Sequence, residues 1–181
     1  MDDNYLFTSP RLGFRNWRDS DLEAFHAMNT DPEVMQFFPF IPSRKQTARL
    51  MDRMQVMFDQ KGYCYYAVEK IEDSEFIGFI GLAWQTYEAD FTPCTDIGWR
   101  LIHAEWGKGY ATEGAKRCLE EAFSKHGLAT IKSVAAQINL PSINVMEKIG
   151  MHKAGTFEHP KLTDYPHLKT CVLYEISNPS L

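Results

Sequence analysis

The residues of this sequence that are most able to do chemistry form a glycine-rich turn at positions 106–112, which read W-G-K-G-Y-A-T. A β-rich run precedes this turn and a strongly helical run follows it. Glycines let the backbone turn tightly and direct several amides to one point. The first amides of a helix have no internal partner and carry a partial positive charge. The pattern therefore predicts a socket for a phosphate or pyrophosphate, with Lys108 at its rim.

Three phosphate-binding templates can be compared with this turn. A Walker loop requires G-x-x-x-x-G-K-[ST], which the turn does not supply. A dinucleotide fingerprint requires a third small residue where Thr112 stands, and an acidic residue about 20 positions later that is absent here. The template Q/R-x-x-G-x-G/A fits at Gly109 and Ala111, with Trp106 in its first position.

The elements around the turn are predicted from hydrophobic periodicity. Residues 96–102 are typical of a strand, and residues 111–126 of a helix that Gly127 ends. A strand over 131–138 and a short helix over 141–149 follow.

The rest of the chain supplies further strands and helices. Residues 8–17 are predicted as one strand, and three helices follow before a hairpin of strands near 63–70 and 76–84. Two last strands are expected near 151–157 and 169–176. The resulting order, β-α-α-α-β-β-β-α-β-α-β-β, predicts a mixed α/β or α+β fold around one sheet. With 181 residues, the chain is expected to form a single domain over 1–181.

Several motifs occur together in an order that resembles the GNAT acetyltransferase superfamily. Residues 97–114 read I-G-W-R-L-I-H-A-E-W-G-K-G-Y-A-T-E-G, and residues 139–151 read N-L-P-S-I-N-V-M-E-K-I-G-M. The segments T-S-P-R-L at 8–12, D-P-E-V-M at 31–35 and V-L-Y at 172–174 also match. The likeness covers nearly the whole chain and is nearest to the RimJ/RimL-like branch of ribosomal-protein N-terminal acetyltransferases.

The resemblance implies a central, mostly antiparallel mixed sheet whose two middle strands splay apart, with helices on its faces. It also implies acetyl-CoA as co-substrate, with pantetheine lying in the split. The backbone of Leu101, Ile102 and His103 would pair with pantetheine, and Asn139 and Asn144 would contact that arm or the thioester. The pyrophosphate would be held by Gly107, Lys108, Gly109, Tyr110, Ala111 and Thr112.

Acetyl transfer to an amine needs a group that removes the proton of the ammonium ion and donors for the thioester oxygen and the departing thiolate. Asp96 is the candidate base, although it could also be a solvated carboxylate at a strand edge. By family analogy Ser142 is the candidate acid, and Asn139 would orient a water or the acetyl carbonyl. Both could instead serve only as helix-start hydrogen-bonding groups. Direct attack in a ternary complex requires no enzyme nucleophile.

The acceptor is the least determined part of the hypothesis. Phe37, Phe38, Phe40, Trp84 and the loop at 87–91 are plausible walls, and the acidic Glu88 and Asp90 in that loop could attract a cation. A protein N-terminus, an amino acid, a polyamine or another small amine all remain open as acceptors. The alternative function is a non-catalytic acyl-CoA-binding sensor or regulatory module.

Composition limits the remaining classes. The formal net charge of −5 argues against a nucleic-acid partner. The histidines and the four cysteines show no recognised metal spacing, so no metal is expected. The acidic start at 1–4 leads into no apolar run, and we expect no signal peptide, no membrane span and a cytoplasmic protein. A monomer and a homodimer are both compatible with the sequence.

Overall fold

The computed structural model describes residues 4–180, so most of the acidic start, Met1, Asp2 and Asp3, and the last residue, Leu181, lie outside the described part. Within that part, no helix combines the length and the apolar character that crossing a membrane requires. The helices are α1 (Leu22–Thr30), α2 (Pro32–Met35), α3 (Arg44–Lys61), α4 (Tyr110–Ser124) and α5 (Leu140–Lys148). The strands are β1 (Phe7–Thr8), β2 (Leu12–Arg15), β3 (Tyr65–Lys70), β4 (Phe76–Gln85), β5 (Cys94–Leu101), β6 (Thr130–Ala136), β7 (His152–Glu158) and β8 (Thr170–Ser177).

The single strand predicted over 8–17 is wrong, because β1 and β2 form a small antiparallel hairpin instead. The Ser9 amide donates to the Leu12 carbonyl at 2.9 Å and closes a tight turn that contains Pro10. Proline has no amide hydrogen and favours the second position of such a turn, so the chain reverses there. The other predicted elements are present, with ends shifted by a few residues.

The described strands form one sheet in the order β1-β2-β3-β4-β5-β6-β8-β7. Every neighbouring pair is antiparallel except β5 and β6, which run parallel. Along this parallel pair only Asp96 and Lys132 are in register, whereas β4 and β5 pair from Gly78 with Leu101 to Gln85 with Cys94. The two middle strands therefore diverge beyond Asp96, as expected for a mixed, mostly antiparallel and splayed sheet.

Helices cover both faces of this sheet. Successive side chains of a strand point to opposite faces, so Phe79 and Ile80 of β4 face opposite layers. Phe25 of α1 packs edge-on against Phe79 at 6.1 Å between ring centroids. On the other face Gly114 of α4 lies so close to the sheet that a Cβ there would be 2.4 Å from Cδ1 of Ile80. The absent side chain lets α4 pack closely on β4.

A buried ion cluster joins the first strands to the start of α1. The Arg15 guanidinium donates to Asp21 at 2.7 Å and to Glu69 on β3 at 2.7 Å from its Nε atom. All three residues are buried, with 3%, 4% and 6% of their surface exposed. Burial alone would lower the pKa of Arg15, but these hydrogen bonds raise it well above its ordinary value.

We expect Arg15→Met to lower the free energy of unfolding by about 3–5 kcal/mol, because it leaves two buried carboxylates without their cation. Urea denaturation at neutral pH measures the effect. Arg44→Met is the matched control, since Arg44 forms an ion pair with Glu23 on the surface. Its loss should be under about 1 kcal/mol. Equal losses in the two variants would contradict a stabilising role for the buried cluster.

Candidate active site

The turn between β5 and α4 is built around two glycines in the left-handed region. A short 3₁₀ turn at His103–Glu105 follows β5. Gly107 then has φ +75° and Gly109 has φ +85°, values that residues with a side chain rarely adopt. Because of these two positions the chain reverses within a few residues and α4 starts at Tyr110.

The first turn of α4 has no side-chain cap. Gly109 occupies the N-cap position and has no side chain that could accept from the helix amides. The Glu113 amide donates to the Gly109 carbonyl at 3.0 Å and is the first of the regular helical bonds. The amides of Tyr110, Ala111 and Thr112 precede that bond, so they have no partner within the helix. Together with the helix dipole they form a site suited to an anion.

Arg11 and Glu113 hold this turn in place. The Glu113 carboxylate accepts from Ser9 Oγ at 2.7 Å and from Arg11 Nε at 2.6 Å, so it ties the β1–β2 hairpin to α4. Arg11 Nη1 donates to the Lys108 carbonyl at 3.1 Å, and its guanidinium lies 4.3 Å from the Tyr110 ring centroid. Burial opposes the charge of Glu113, but these hydrogen bonds outweigh it and keep its pKa below the ordinary value.

A cavity of about 500 Å³, here called the helix cavity, extends from the start of α4 towards the split in the sheet. Its size is typical of a small-molecule site. Of the site residues predicted from the sequence, those that line it are Leu101, Gly107, Gly109, Tyr110, Ala111, Thr112, Asn139, Ser142 and Asn144.

Three of the residues predicted to bind the co-substrate make contacts with other parts of the protein. The Ile102 amide donates to the Ile77 carbonyl on β4 at 3.0 Å. His103 opens the 3₁₀ turn, its backbone carbonyl accepts from the Trp106 amide at 3.0 Å, and its ring packs against the Trp106 ring. Lys108 Nζ forms an ion pair with the buried Glu105 at 3.0 Å. None of the three lines the helix cavity.

The alternation of hydrogen bonds along β5 decides which of its backbone groups face the split. The Ile97 carbonyl accepts from Ser133 Oγ of β6 at 3.0 Å, so residues 97, 99 and 101 direct their backbone groups towards β6. The Leu101 carbonyl accepts from Trp106 Nε1 at 2.9 Å. The backbone groups of Trp99 and the Leu101 amide therefore face the widening gap.

Helix α5 brings Asn139, Ser142 and Asn144 to the same place. Asn139 is the N-cap residue, and its Oδ1 accepts from the Ser142 amide at 3.1 Å, so the capping role is present. The Ser142 hydroxyl forms no hydrogen bond among residues 4–180 and lies at a cavity wall. Asn144, one half-turn further, is exposed and borders the helix cavity.

A second cavity of about 460 Å³, here called the loop cavity, lies beneath the 37–40 and 159–162 loops. It shares walls with the helix cavity, so the two meet inside the split. The shared residues are Phe37, Phe38, Trp99, Arg100, Asn139 and Ser142. Asp96 lines only the loop cavity.

Asp96 has the surroundings of a titrating group. Its carboxylate accepts from the Tyr65 hydroxyl at 2.7 Å and from Gln85 Nε2 at 2.9 Å. Burial raises the pKa of Asp96 to about 7, although these two hydrogen bonds oppose the shift. A group with that pKa can both accept and release a proton near neutral pH. Tyr65 and Gln85 were not predicted, because no local pattern shows that β3 and β4 bring them to Asp96.

The shift at Asp96 predicts a pH-dependent difference in stability between the protein and its Asp96→Asn variant. The folded pKa of about 7 exceeds the unfolded value of about 3.9. The stabilisation from the protonated carboxyl is therefore complete below pH ~4 and is lost as the pH rises through ~7. We expect wild type to lose stability relative to the variant over this window, measured by urea denaturation. Parallel curves would show that the carboxyl titrates normally.

The free thiols are poor nucleophiles in this structure. Of the four cysteines, all unpaired, Cys171 alone lines the loop cavity. Burial raises the pKa of its thiol to about 11, so little thiolate exists at neutral pH. No group of three metal-ligating side chains occurs among residues 4–180.

The walls expected for an acceptor are placed only in part as predicted. Phe37, Phe38, Phe40 and Tyr87 line the loop cavity. Trp84 does not line it and instead packs under Lys61, whose Nζ is 4.5 Å from the ring centroid. Phe91 packs behind this wall, against Tyr87 and Phe157. The exposed carboxylates Glu88 and Asp90 do not line the cavity either.

Comparison with known families decides the class of protein. A family model described as an acetyltransferase (GNAT) domain matches residues 11–152, well over half of the chain. The chain belongs to the GNAT acetyltransferase family. This acetyltransferase is 30% identical over 159 residues to YkkB of Bacillus subtilis (strain 168), covering 86% of this chain and 90% of YkkB.

Solved structures agree with this assignment. A GNAT-family acetyltransferase from Bacillus anthracis superposes with a TM-score of 0.77 at 25% identity, covering 94% of this chain and 97% of that one. RimL, a ribosomal L7/L12 alpha-N-protein acetyltransferase solved with coenzyme A, gives a TM-score of 0.76 at 15% identity over 95% and 97%. At that identity the likeness to RimL shows the fold alone. This acetyltransferase is therefore an enzyme of the N-acetyltransferase class.

Proposed function

We propose that this acetyltransferase transfers the acetyl group of acetyl-CoA to a primary amine by direct attack in a ternary complex. One observation carries the proposal: the residues whose amides start α4 line a cavity that shares six wall residues with the cavity containing Asp96. A carrier with a diphosphate at one end and a thioester at the other fits the first cavity. An amine fits the second, beside a carboxylate with a pKa near neutrality.

The residues present fit coenzyme A. The diphosphate would accept hydrogen bonds from the amides of residues 110–112, whose glycine N-cap leaves them without a side-chain partner. The pantetheine arm would pair with the backbone of Trp99 and the amide of Leu101, the groups that face the split. Asn144 would border that arm. The Ile102 amide is already bound to β4, so we assign it no pantetheine contact.

Bound acetyl-CoA would supply an acyl carbon activated by its thioester and a thiolate leaving group. Asp96, ionised above pH ~7, would take a proton from the ammonium form of the acceptor, directly or through a water. The amine nitrogen then forms the N–C bond as the C–S bond breaks. The Ser142 hydroxyl would give its proton to the leaving sulfur and regain one from the acetylated nitrogen, which loses its second proton as the amide forms. Asn139 Nδ2 would donate to the acetyl oxygen. Two adjoining cavities hold the reactants together, so no acyl-enzyme is needed.

A screen of coenzyme A release tests the proposal. The purified protein with acetyl-CoA is offered peptides with varied N-termini, amino acids, polyamines and aminoglycosides, and free thiol is measured. Release that depends on one class of amine, with an acetylated product seen by mass spectrometry, is the expected result. Acetyl-CoA binding by calorimetry without release from any amine would instead support an acyl-CoA sensor. No binding at millimolar acetyl-CoA would overturn both.

We also propose that the protein acts in the cytoplasm. A cytoplasmic location fits the four unpaired cysteines, which persist in a reducing compartment. The net charge of −5 is consistent with an acceptor that is not a nucleic acid. The active site proposed here is complete within one chain, so both a monomer and a homodimer are compatible with it. Sedimentation or light scattering distinguishes these two states.

A further inference from the structure

Arg100 stands where the two cavities meet. It lies on β5 on the same face as Asp96, since residues 96, 98 and 100 alternate with those that face α4. It lines both the helix cavity and the loop cavity. Its guanidinium lies 3.8 Å from the ring centroid of Phe38 and 5.5 Å from that of Phe79. The side chain is thus held in one direction, with its cation inside the site.

This guanidinium has no anionic partner in the described part of the chain. Nη1 donates to Asn29 Oδ1 at 2.7 Å, and the buried Nε atom has no hydrogen-bond partner. Burial without a counter-ion lowers the pKa of Arg100 to about 10, so the group stays charged at neutral pH. Arg15, the other arginine in the interior, has two carboxylates. Among residues 4–180 the Nη2 group has no hydrogen bond either. A charged guanidinium with a free Nη2 at a cavity wall is suited to a carboxylate of a ligand.

The remaining charges of the loop cavity agree with an anionic group in the acceptor. Its lining includes one carboxylate, Asp96, and the cationic side chains of Arg100 and Lys161. It also includes His159, whose pKa is lowered by burial, so this ring adds little positive charge. Binding a polyamine would require several carboxylates to compensate for the lost hydration of its ammonium groups. The acidic loop residues Glu88 and Asp90 do not line this cavity. The field of this cavity therefore opposes a polycation and favours a molecule with one amine and one acid.

We propose that the acceptor is an amine that also carries a carboxylate, a free amino acid or a short peptide, and that Arg100 binds that carboxylate. The inference rests on the amine acetylation proposed above. Asp96 would take the proton from the amine, while Arg100 would hold the acid end. Phe38 and Phe79 keep the guanidinium fixed so that little side-chain freedom is lost on binding.

The test uses acceptors in matched pairs that share the amine and differ in charge. Amino acids are compared with their carboxamides, and dipeptides with dipeptide amides, with spermidine as a polycation. We expect kcat/KM of the acids to exceed that of the amides by about tenfold or more. Comparing the two pairs shows whether a free amino acid or a peptide supplies the carboxylate.

Arg100→Gln should reduce the ratio of kcat/KM for the acid to kcat/KM for the amide by about tenfold, because the KM of the acid rises. The KM of acetyl-CoA should stay within about twofold of the wild-type value. Arg117→Gln is the control, because Arg117 pairs with Glu121 on α4 and lines neither cavity. A carboxylic acid that lacks the amine should inhibit wild type competitively against the acceptor. That inhibition tests the proposal even if the variant folds poorly.

Three outcomes overturn the inference. One is equal kcat/KM for acids and amides in wild type, with no inhibition by the amine-free acid. Another is preferred turnover of spermidine. The third is an Arg100→Gln variant that raises the KM of acetyl-CoA but keeps the acid-to-amide ratio. In each case coenzyme A release from amines continues, so amine acetylation stands. Release from no amine at all would overturn the function itself.

Discussion

Gly109→Glu is expected to weaken acetyl-CoA binding by about tenfold or more, which corresponds to ~1.4 kcal/mol. The substitution places a carboxylate at the N-cap of α4, next to the unpaired amides of residues 110–112 that would hold the diphosphate. The new carboxylate would compete for those amides and repel the ligand. It would also require a side chain at φ +85°. Isothermal titration calorimetry with acetyl-CoA measures the change.

Two further variants separate charge from backbone strain. Gly109→Gln carries a side chain of the same size without the charge, so it should bind acetyl-CoA several-fold more tightly than Gly109→Glu. Gly127→Glu has a similar strain, with φ +60°, but lies just beyond the other end of α4, in open space. It should bind as wild type does. Unchanged affinity in Gly109→Glu would show that the diphosphate lies elsewhere.

Asp96→Asn is expected to lower kcat by about 10²-fold or more, because the amide cannot accept the proton of the acceptor. In wild type kcat should rise with pH through ~7, as the carboxyl whose pKa is raised to about 7 becomes ionised. The variant should lack this limb. Steady-state rates at saturating acetyl-CoA and acceptor from pH 5.5 to 9 measure both effects.

Tyr65→Phe tests whether that limb belongs to Asp96 and not to the acceptor. The Tyr65 hydroxyl donates to the carboxylate and lowers its pKa, so its removal should raise the pKa of Asp96 and move the limb to higher pH. Titration of the acceptor amine would not respond to this change. A limb at the same pH in both proteins, or an Asp96→Asn variant with wild-type kcat, would exclude Asp96 as the base.

The glycine turn and the order of the elements could be predicted from the sequence because their signals are local. Gly107 and Gly109 are needed where φ is positive, and the apolar stripe of α4 repeats at helical spacing. The hairpin of β1 and β2 was missed because two short strands and a tight turn resemble one irregular strand. The family motif implies a pantetheine contact for Ile102, but a motif does not show which strand edge each amide faces, and the Ile102 amide is bound to β4.

The acceptor side of the site could not be predicted in the same way. Tyr65, Gln85 and Arg100 lie on three strands, and each is an ordinary strand residue by type. Their meeting with Asp96 and Phe38 depends on strand register and on where the 37–40 loop folds. A register shift of one residue would turn each side chain to the opposite face.

The sequence by itself determined the family, the strand–turn–helix that ends in unpaired amides, and the class of ligand that such amides attract. These depend on residue types within a few positions of one another. Only the tertiary structure decided that β5 and β6 separate beyond Asp96 and that this carboxyl is buried enough to titrate near pH 7. It also decided that Arg100 has no anionic partner among residues 4–180. Burial and pairing of charges depend on distant segments coming together, and no local pattern specifies them.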